Sequence, residues 1–322
     1  MIISKTPFRI SFAGGLSDIK EYYEKDYGAV TSTTINKYIY ITVNKKFDNK
    51  IRISYSKTEI VKNIKEITHP IIREALKLTK LDSGLEITSI GDVPSGTGLG
   101  SSSSFTVGLL NALYAFKGEN KCAETLARQA CKIEIDFLKE PIGKQDQYAS
   151  AYGGLNHIRF NNDETVFVNP IICKKKTKEE LNQNLLLFYV GGKRKASNIL
   201  NESKKQMENH RKHVDTIREL SEEVAKALHN NDLSRFGELL HQGWMYKKKT
   251  GKVTNKKIDF YYQKAIKSGA AGGKILGAGA AGFLLLYCDK KNQYKVRNTL
   301  SNLKETPFNL EPQGSKIIYM EE

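Results

Sequence analysis

The segment Pro94-Ser95-Gly96-Thr97-Gly98-Leu99-Gly100-Ser101-Ser102-Ser103-Ser104 constrains this chain more than any other. Three glycines at alternate positions let the backbone turn sharply and approach a ligand closely. Before the segment, Leu85, Ile87, Ser89 and Val93 keep the two-residue period of a strand; after it, Phe105, Leu109, Leu113 and Phe116 follow helical spacing. A strand, a tight loop and a helix therefore succeed one another. The helix start offers unpaired N–H groups and the positive end of a dipole, which suits a polyphosphate. Candidate contacts are Pro94, Gly96, Gly98, Leu99, Gly100, Ser101, Ser102 and Ser103. The segment is not a Walker loop, because no G-x-x-x-x-G-K-[ST] occurs, and it lacks the G-x-G-x-x-G spacing of a dinucleotide fold. A flexible linker is the plain alternative, but linkers do not usually join a strand pattern to a strongly apolar helix.

Alternation of apolar and polar residues over 8–12, 38–43 and 50–55 makes the first third sheet-rich. The spacing predicts a second helix over 121–139, closed by Glu140-Pro141, because the residue before a proline disfavours helix. A strand is expected over 185–190, Lys/Glu-rich helices over 197–228 and 233–249, and a strand again over 282–288. With 322 residues, two abutting α/β lobes are expected. The polar stretch 174–184 is the natural boundary, giving lobes of 1–178 and 179–322.

The longest apolar run, residues 283–287, is far short of the roughly 18 to 20 residues that span a bilayer. The N-terminus reads as a strand rather than a signal peptide, so a cytoplasmic location is expected. Four cysteines form no C-x-x-C pair, so neither a zinc site nor a disulfide framework is signalled. The net charge of +16 is spread over scattered pairs such as Lys45-Lys46, Lys204-Lys205 and Lys290-Lys291. That pattern describes a solvated lysine-rich surface better than a nucleic-acid stripe interleaved with aromatics. Neither a nucleic acid nor a membrane is an expected partner, and the oligomeric state is open.

Several acids and bases stand out beyond the loop. Ala127, Cys131, Glu134 and Leu138 share one helical stripe, which sets a carboxylate in line with small and apolar side chains. Burying it requires a partner: magnesium shared with a bound polyphosphate and a loop serine, or an ordinary Lys or Arg. Asp146 sits in the turn Pro141-Ile142-Gly143-Lys144-Gln145-Asp146-Gln147-Tyr148, where an Asp is commonly a cap or turn-former. Around Gly14-Gly15, Arg9 offers a planar fork for phosphate charge and Asp18 an acceptor for hydroxyl groups. Near the end, so many small residues over 269–282 imply close backbone packing against a ligand or a neighbouring element.

Taken together, T-P-F-R-I-S-F-A-G-G at 6–15, the glycine-serine segment at 94–104 and G-G-K-I-L-G-A-G-A-A-G-F at 272–283 resemble the GHMP kinases. The resemblance spans nearly the whole chain. It implies an α+β, two-lobed fold, with a ribosomal protein S5 domain 2-like N-terminal lobe and a ferredoxin-like C-terminal lobe. It also implies an ATP-dependent kinase with ATP and Mg2+ as cofactors. Residues 131–134 and 141–147 look like the galactokinase pattern, in which Glu134 holds the metal with Ser102, and Asp146 contacts the acceptor hydroxyl. Arg9 takes the family's basic catalytic position. Within the superfamily the chain looks most like kinases of D-glycero-D-manno-heptose 7-phosphate, which act on the anomeric oxygen of a phosphosugar. Gly15, Ser17, Asp18, Lys193, Arg194, Gly277 and Gly279 are then the substrate-side candidates. Leu16 and Ser17 stand where that group usually has Gly-Thr, and Ala280-Ala281 replace glycines. Other sugar kinases of the galactokinase or fucokinase kind, a mevalonate-type kinase, a decarboxylase, and a non-catalytic sensor on the same fold are the competing readings.

Overall fold

A computed structural model describes residues 1–192 and 196–321. Its first sheet grows from two long strands, β1 (Ile2–Ala13) and β2 (Tyr27–Lys45), paired antiparallel from Ile2 opposite Val43 to Ala13 opposite Thr31. On its other edge β2 is long enough to take three partners, one of them a C-terminal strand. Residues 39–45 pair with β5 (Leu85–Gly91), and residues 27–33 with β6 (Leu155–Asn161), which carries β7 (Val166–Pro170). β3 (Ile51–Ser54) runs parallel to β5 and antiparallel to β4 (Thr58–Val61).

The second sheet has four strands in the order β11-β8-β10-β9: β8 (Leu185–Gly191), β9 (Gly272–Ile275), β10 (Gly282–Tyr287) and β11 (Lys304–Glu305). Its apolar runs bury both faces, as period-two side chains must when each face is covered. Leu185, Leu187, Phe283 and Leu285 join Phe8, Ile10 and Phe12 of β1 in one core cluster, so the two sheets share a core. The alternate residues Leu186, Phe188, Leu284 and Leu286 pack outward on Trp244, Ile258 and Tyr262. The C-terminal segment then returns to the first sheet, where β12 (Leu310–Glu311) pairs with β2 and β13 (Lys316–Met320) with β1.

Helix Ser101–Phe116 is buried on every side from Ser103 to Tyr114 rather than along one stripe, which makes it the axis of the first lobe. The helix expected over 121–139 is regular only over Ala123–Cys131; Lys132–Phe137 form a π turn, whose wider register is common at functional sites. The polar stretch 174–184 is itself largely the helix Lys175–Asn184, anchored by buried Leu181. All four cysteines are free, and among the described residues no helix is long and apolar enough to cross a membrane.

Candidate active site

A cavity of about 490 Å³ opens between the two sheets. Its first wall is the glycine loop. Gly96, Gly98 and Gly100 have φ of 76°, 88° and 75°, left-handed values that glycine adopts at little cost. Gly100 caps helix Ser101–Phe116 without a side-chain hydrogen bond, and Ser101, Ser102 and Ser103 of the first turn line the cavity. The loop is tied to β1, since the Arg9 N–H donates to the Leu99 carbonyl at 3.1 Å.

Arg9 lies inside β1 and is 4% exposed. Its Nε and Nη2 donate to Asp146 Oδ1 and Oδ2, each at 2.7 Å, and its Nη1 donates to the Gly98 carbonyl at 2.6 Å. Asp146 stands in the first turn of helix Gln145–Tyr152 rather than in a turn as expected, and there its charge meets the positive end of the helix.

Glu134 reaches the same cavity from the π turn. Oε1 accepts from Ser102 Oγ at 2.7 Å and Oε2 from Gln147 Nε2 at 2.6 Å. Burial raises its pKa above the ordinary glutamate value, while the hydrogen bonds from Ser102, Ser103 and Gln147 work in the opposite direction. No Lys or Arg pairs with it among the described residues, so a buried carboxylate is left with hydroxyl and amide partners alone. That donor set fits magnesium, which prefers hard oxygen ligands and takes the remainder from phosphates and water. Among the described residues there is no cluster of three or more His, Cys, Asp or Glu that would hold a metal without such help.

On the far side of Arg9, the chain turns through Gly15 and Leu16 to Asp18. Asp18 Oδ1 accepts from the Leu16 N–H at 3.1 Å and from Gln145 Nε2 at 3.0 Å, and Oδ2 from the Gln145 N–H at 3.2 Å. Burial, then the charge of Asp146, lifts its pKa above the ordinary aspartate value. Gly277 and Gly279 line the opposite wall.

Three sequence candidates do not line the cavity. Ser17 is fully buried, its hydroxyl donating toward the Gly14 and Ala29 carbonyls and accepting from the Ala29 N–H, so it locks the turn instead of touching a ligand. Leu99 points into the shared core, and Pro94 accepts the Thr97 hydroxyl through its carbonyl. Lys193 and Arg194 fall outside the described residues.

Sequence reasoning missed two lysines. Lys247 ends helix Leu233–Lys247 and donates to the Gly277 carbonyl at 2.6 Å; Lys274 in β9 donates to the Phe12 carbonyl at 2.9 Å. Both line the cavity and are nearly buried. Lys247 opens a run of three lysines that reads as a solvated face. The available signal was its spacing of three from Trp244, which is wholly buried.

Residues 55–154 match the family described as GHMP kinases N terminal domain, and residues 224–306 match GHMP kinases C terminal. The chain is 31% identical to D-glycero-alpha-D-manno-heptose 7-phosphate kinase of Campylobacter jejuni, over 93% of this chain and 93% of that protein. It is 27% identical to galactokinase of Pyrococcus furiosus over 90% of this chain and 89% of that one. Among solved structures, a D-glycero-D-manno-heptose 1-phosphate kinase from Bacteroides thetaiotaomicron superposes with a TM-score of 0.84 at 25% identity, covering 100% of both chains.

Proposed function

Since the chain belongs to the GHMP kinases and is an ATP-dependent phosphotransferase acting on an alcohol group of a sugar, we propose that its acceptor is D-glycero-D-manno-heptose 7-phosphate, phosphorylated at the anomeric hydroxyl to the 1,7-bisphosphate. The observation that carries the kinase chemistry is a convergence. Glu134 from a π turn and Asp146 from the next helix meet beside one glycine loop, with Ser102 on the first and Arg9 on the second. The heptose assignment is supported by the Campylobacter jejuni relative, named for that substrate, and by an acceptor side lined with basic groups.

In this reading, residues up to 178 carry the nucleotide, metal and acceptor-hydroxyl sites, and the part from 179 supplies the covering wall. The N–H groups of the loop and of the helix start hold the ATP phosphates. Ser102 and Glu134 hold Mg2+, which offsets charge on the phosphate oxygens when bound. Asp146 orients the acceptor hydroxyl and takes its proton. Each of its oxygens has lone-pair capacity beyond the one hydrogen bond from Arg9. Arg9 spends three N–H groups on Asp146 and Gly98, leaving two of its five for the transferring phosphoryl group. Asp18 and the Gly15 turn border the sugar. The chemistry is positioning plus electrostatics, as phosphoryl transfer through a loose transition state requires.

Phosphorus NMR with ATP, Mg2+ and a panel of acceptors tests the reading. A new anomeric phosphate signal with heptose 7-phosphate, at higher kcat/KM than with galactose, fucose or mevalonate, is the expected result. Turnover only with an unphosphorylated sugar replaces the heptose assignment, and no ADP release with any acceptor points to a sensor.

A further inference from the structure

Three cations and four acids line the cavity, but two of the three cations, Lys247 and Lys274, form no ion pair among the described residues. Arg9 is matched by Asp146, and Asp18 is occupied by Gln145 and the Leu16 N–H. Lys247 and Lys274 meet only backbone carbonyls, of Gly277 and Phe12. Neither pairs with a carboxylate among the described residues, although an ammonium has three hydrogens to donate. Beside them Ser11 lines the same cavity, is 5% exposed, and its Oγ has no hydrogen-bond partner. Three unfulfilled donors in one buried wall are costly to maintain without a ligand.

Resting on the heptose-phosphate reading, we propose that Lys247, Lys274 and Ser11 form a seat for the phosphate monoester that the acceptor already carries. A phosphate monoester is close to a dianion at neutral pH and presents several acceptor oxygens, matching two ammonium groups and a hydroxyl. The nucleotide's own charge is provided for elsewhere, by the helix start, by the Ser102–Glu134 pair and by the spare N–H groups of Arg9. Lys274 is anchored on Phe12, one residue from Ser11 and just ahead of the Gly14-Gly15 turn, which sets the seat on the acceptor side of Arg9. Burial, followed by the charges of neighbouring bases, drives the pKa of both lysines down, as expected of cations awaiting an anion. The seat draws on groups from both lobes, so a phosphorylated acceptor also helps hold them together.

The test compares wild type, Lys247→Met and Ser11→Ala, each at saturating MgATP, with D-glycero-D-manno-heptose 7-phosphate and with the same heptose lacking phosphate. The readout is the ratio of the two kcat/KM values. The expected result is a fall in that ratio on the order of 10²-fold in Lys247→Met and about tenfold in Ser11→Ala, the range for losing a charged and a neutral hydrogen bond. Equal losses on both acceptors overturn the seat, as does a loss confined to ATP affinity, which assigns the lysine to the nucleotide. Should Lys247→Met fail to fold, an unchanged ratio in Ser11→Ala overturns it. If wild type instead prefers another sugar, the heptose reading fails by itself, and the ratio between that sugar and its phosphate monoester decides the seat.

Discussion

Gly98 and Leu276 hold the two lobes in register: a Cβ added to Gly98 would lie 2.6 Å from the Leu276 carbonyl oxygen, and Gly98 has φ of 88°. The glycine loop is thus also a contact surface between sheets. Gly98→Ala is expected to lower stability by at least about 1 to 3 kcal/mol from backbone strain, with the clash in addition. Activity should fall at temperatures where the protein stays folded. Gly96→Ala is the control, because an added Cβ there meets nothing within 4 Å although φ is 76°. Thermal denaturation of both variants beside ATP KM separates the two roles, and equal loss of stability in the two removes the lobe-contact explanation.

Asp146→Asn keeps the shape of the side chain while removing the base and setting an amide against the Arg9 fork. Turnover should fall on the order of 10² to 10⁴-fold with ATP affinity nearly unchanged. Stopped-assay ADP release and equilibrium nucleotide binding check the two halves separately; near-normal turnover takes Asp146 out of the chemistry.

How much of this was legible differs residue by residue. The loop, the helix after it and the first strand follow from period and glycine placement, because their signals are local, whereas β2 was legible only over 38–43 of its Tyr27–Lys45. Glu134 was legible as a carboxylate on an apolar stripe, but the π turn that aims it was not, since a one-residue change in helical register leaves no mark on composition. Lys247 was hidden inside Lys247-Lys248-Lys249. Lys248 pairs with Asp259 and Lys249 lies over the Tyr246 ring, so only tertiary packing distinguishes the buried lysine from its neighbours. β12 and β13 are too short or too exposed to alternate clearly, and their pairing with β1 and β2 is a long-range contact that no local pattern encodes.

Ser17→Ala tests whether that hydroxyl serves the fold or the substrate. It removes a buried group bonded to Gly14 and Ala29, so stability should drop by about 1 to 3 kcal/mol. Acceptor KM should stay within about twofold of wild type at a temperature well below Tm, because the hydroxyl faces away from the cavity. A rise of tenfold or more in acceptor KM without loss of Tm would return Ser17 to the sugar site.

Glu134→Gln separates the cost of a buried charge from its use. Without ligands the variant should melt at or above the wild-type temperature, because it loses a buried carboxylate that has no cationic partner. Gln147 can accommodate the new amide by turning its own, whose Oε1 has no partner. Adding MgATP should raise Tm clearly in wild type and much less in the variant, since ligand stabilisation scales with affinity. Activity should fall at least about 10²-fold, the loss of several kcal/mol of charge stabilisation. Equal MgATP shifts in both proteins would remove Glu134 from the metal site.

Lys247 gives the active site a basic limb in its pH profile. Its pKa is pushed down to about 8, by burial first and then by Arg9, with Asp18 and Asp146 pulling the other way. Burial, then Lys247 and Arg9, push Lys274 beside it well below the ordinary lysine value too. In the free enzyme, between about pH 8 and the ordinary lysine value of 10.5, the folded state holds fewer protons at Lys247 than the unfolded chain. This group therefore destabilises the fold below that window and the penalty is relieved as pH rises through it. A phosphate in the seat needs the charged form, so binding must take up a proton above pH 8. For a phosphorylated acceptor, kcat/KM should fall at least about tenfold per pH unit above about pH 8 as Lys247 loses its proton, with Lys274 adding to the fall, since this ratio reports ionisations of the free enzyme. In Lys247→Met the Lys247 part of that limb should vanish while the overall value drops. Calorimetry of acceptor binding in two buffers of different ionisation enthalpy, at pH 8.5 to 9, counts the proton directly; zero uptake by wild type shows that Lys247 does not change its charge when the acceptor binds.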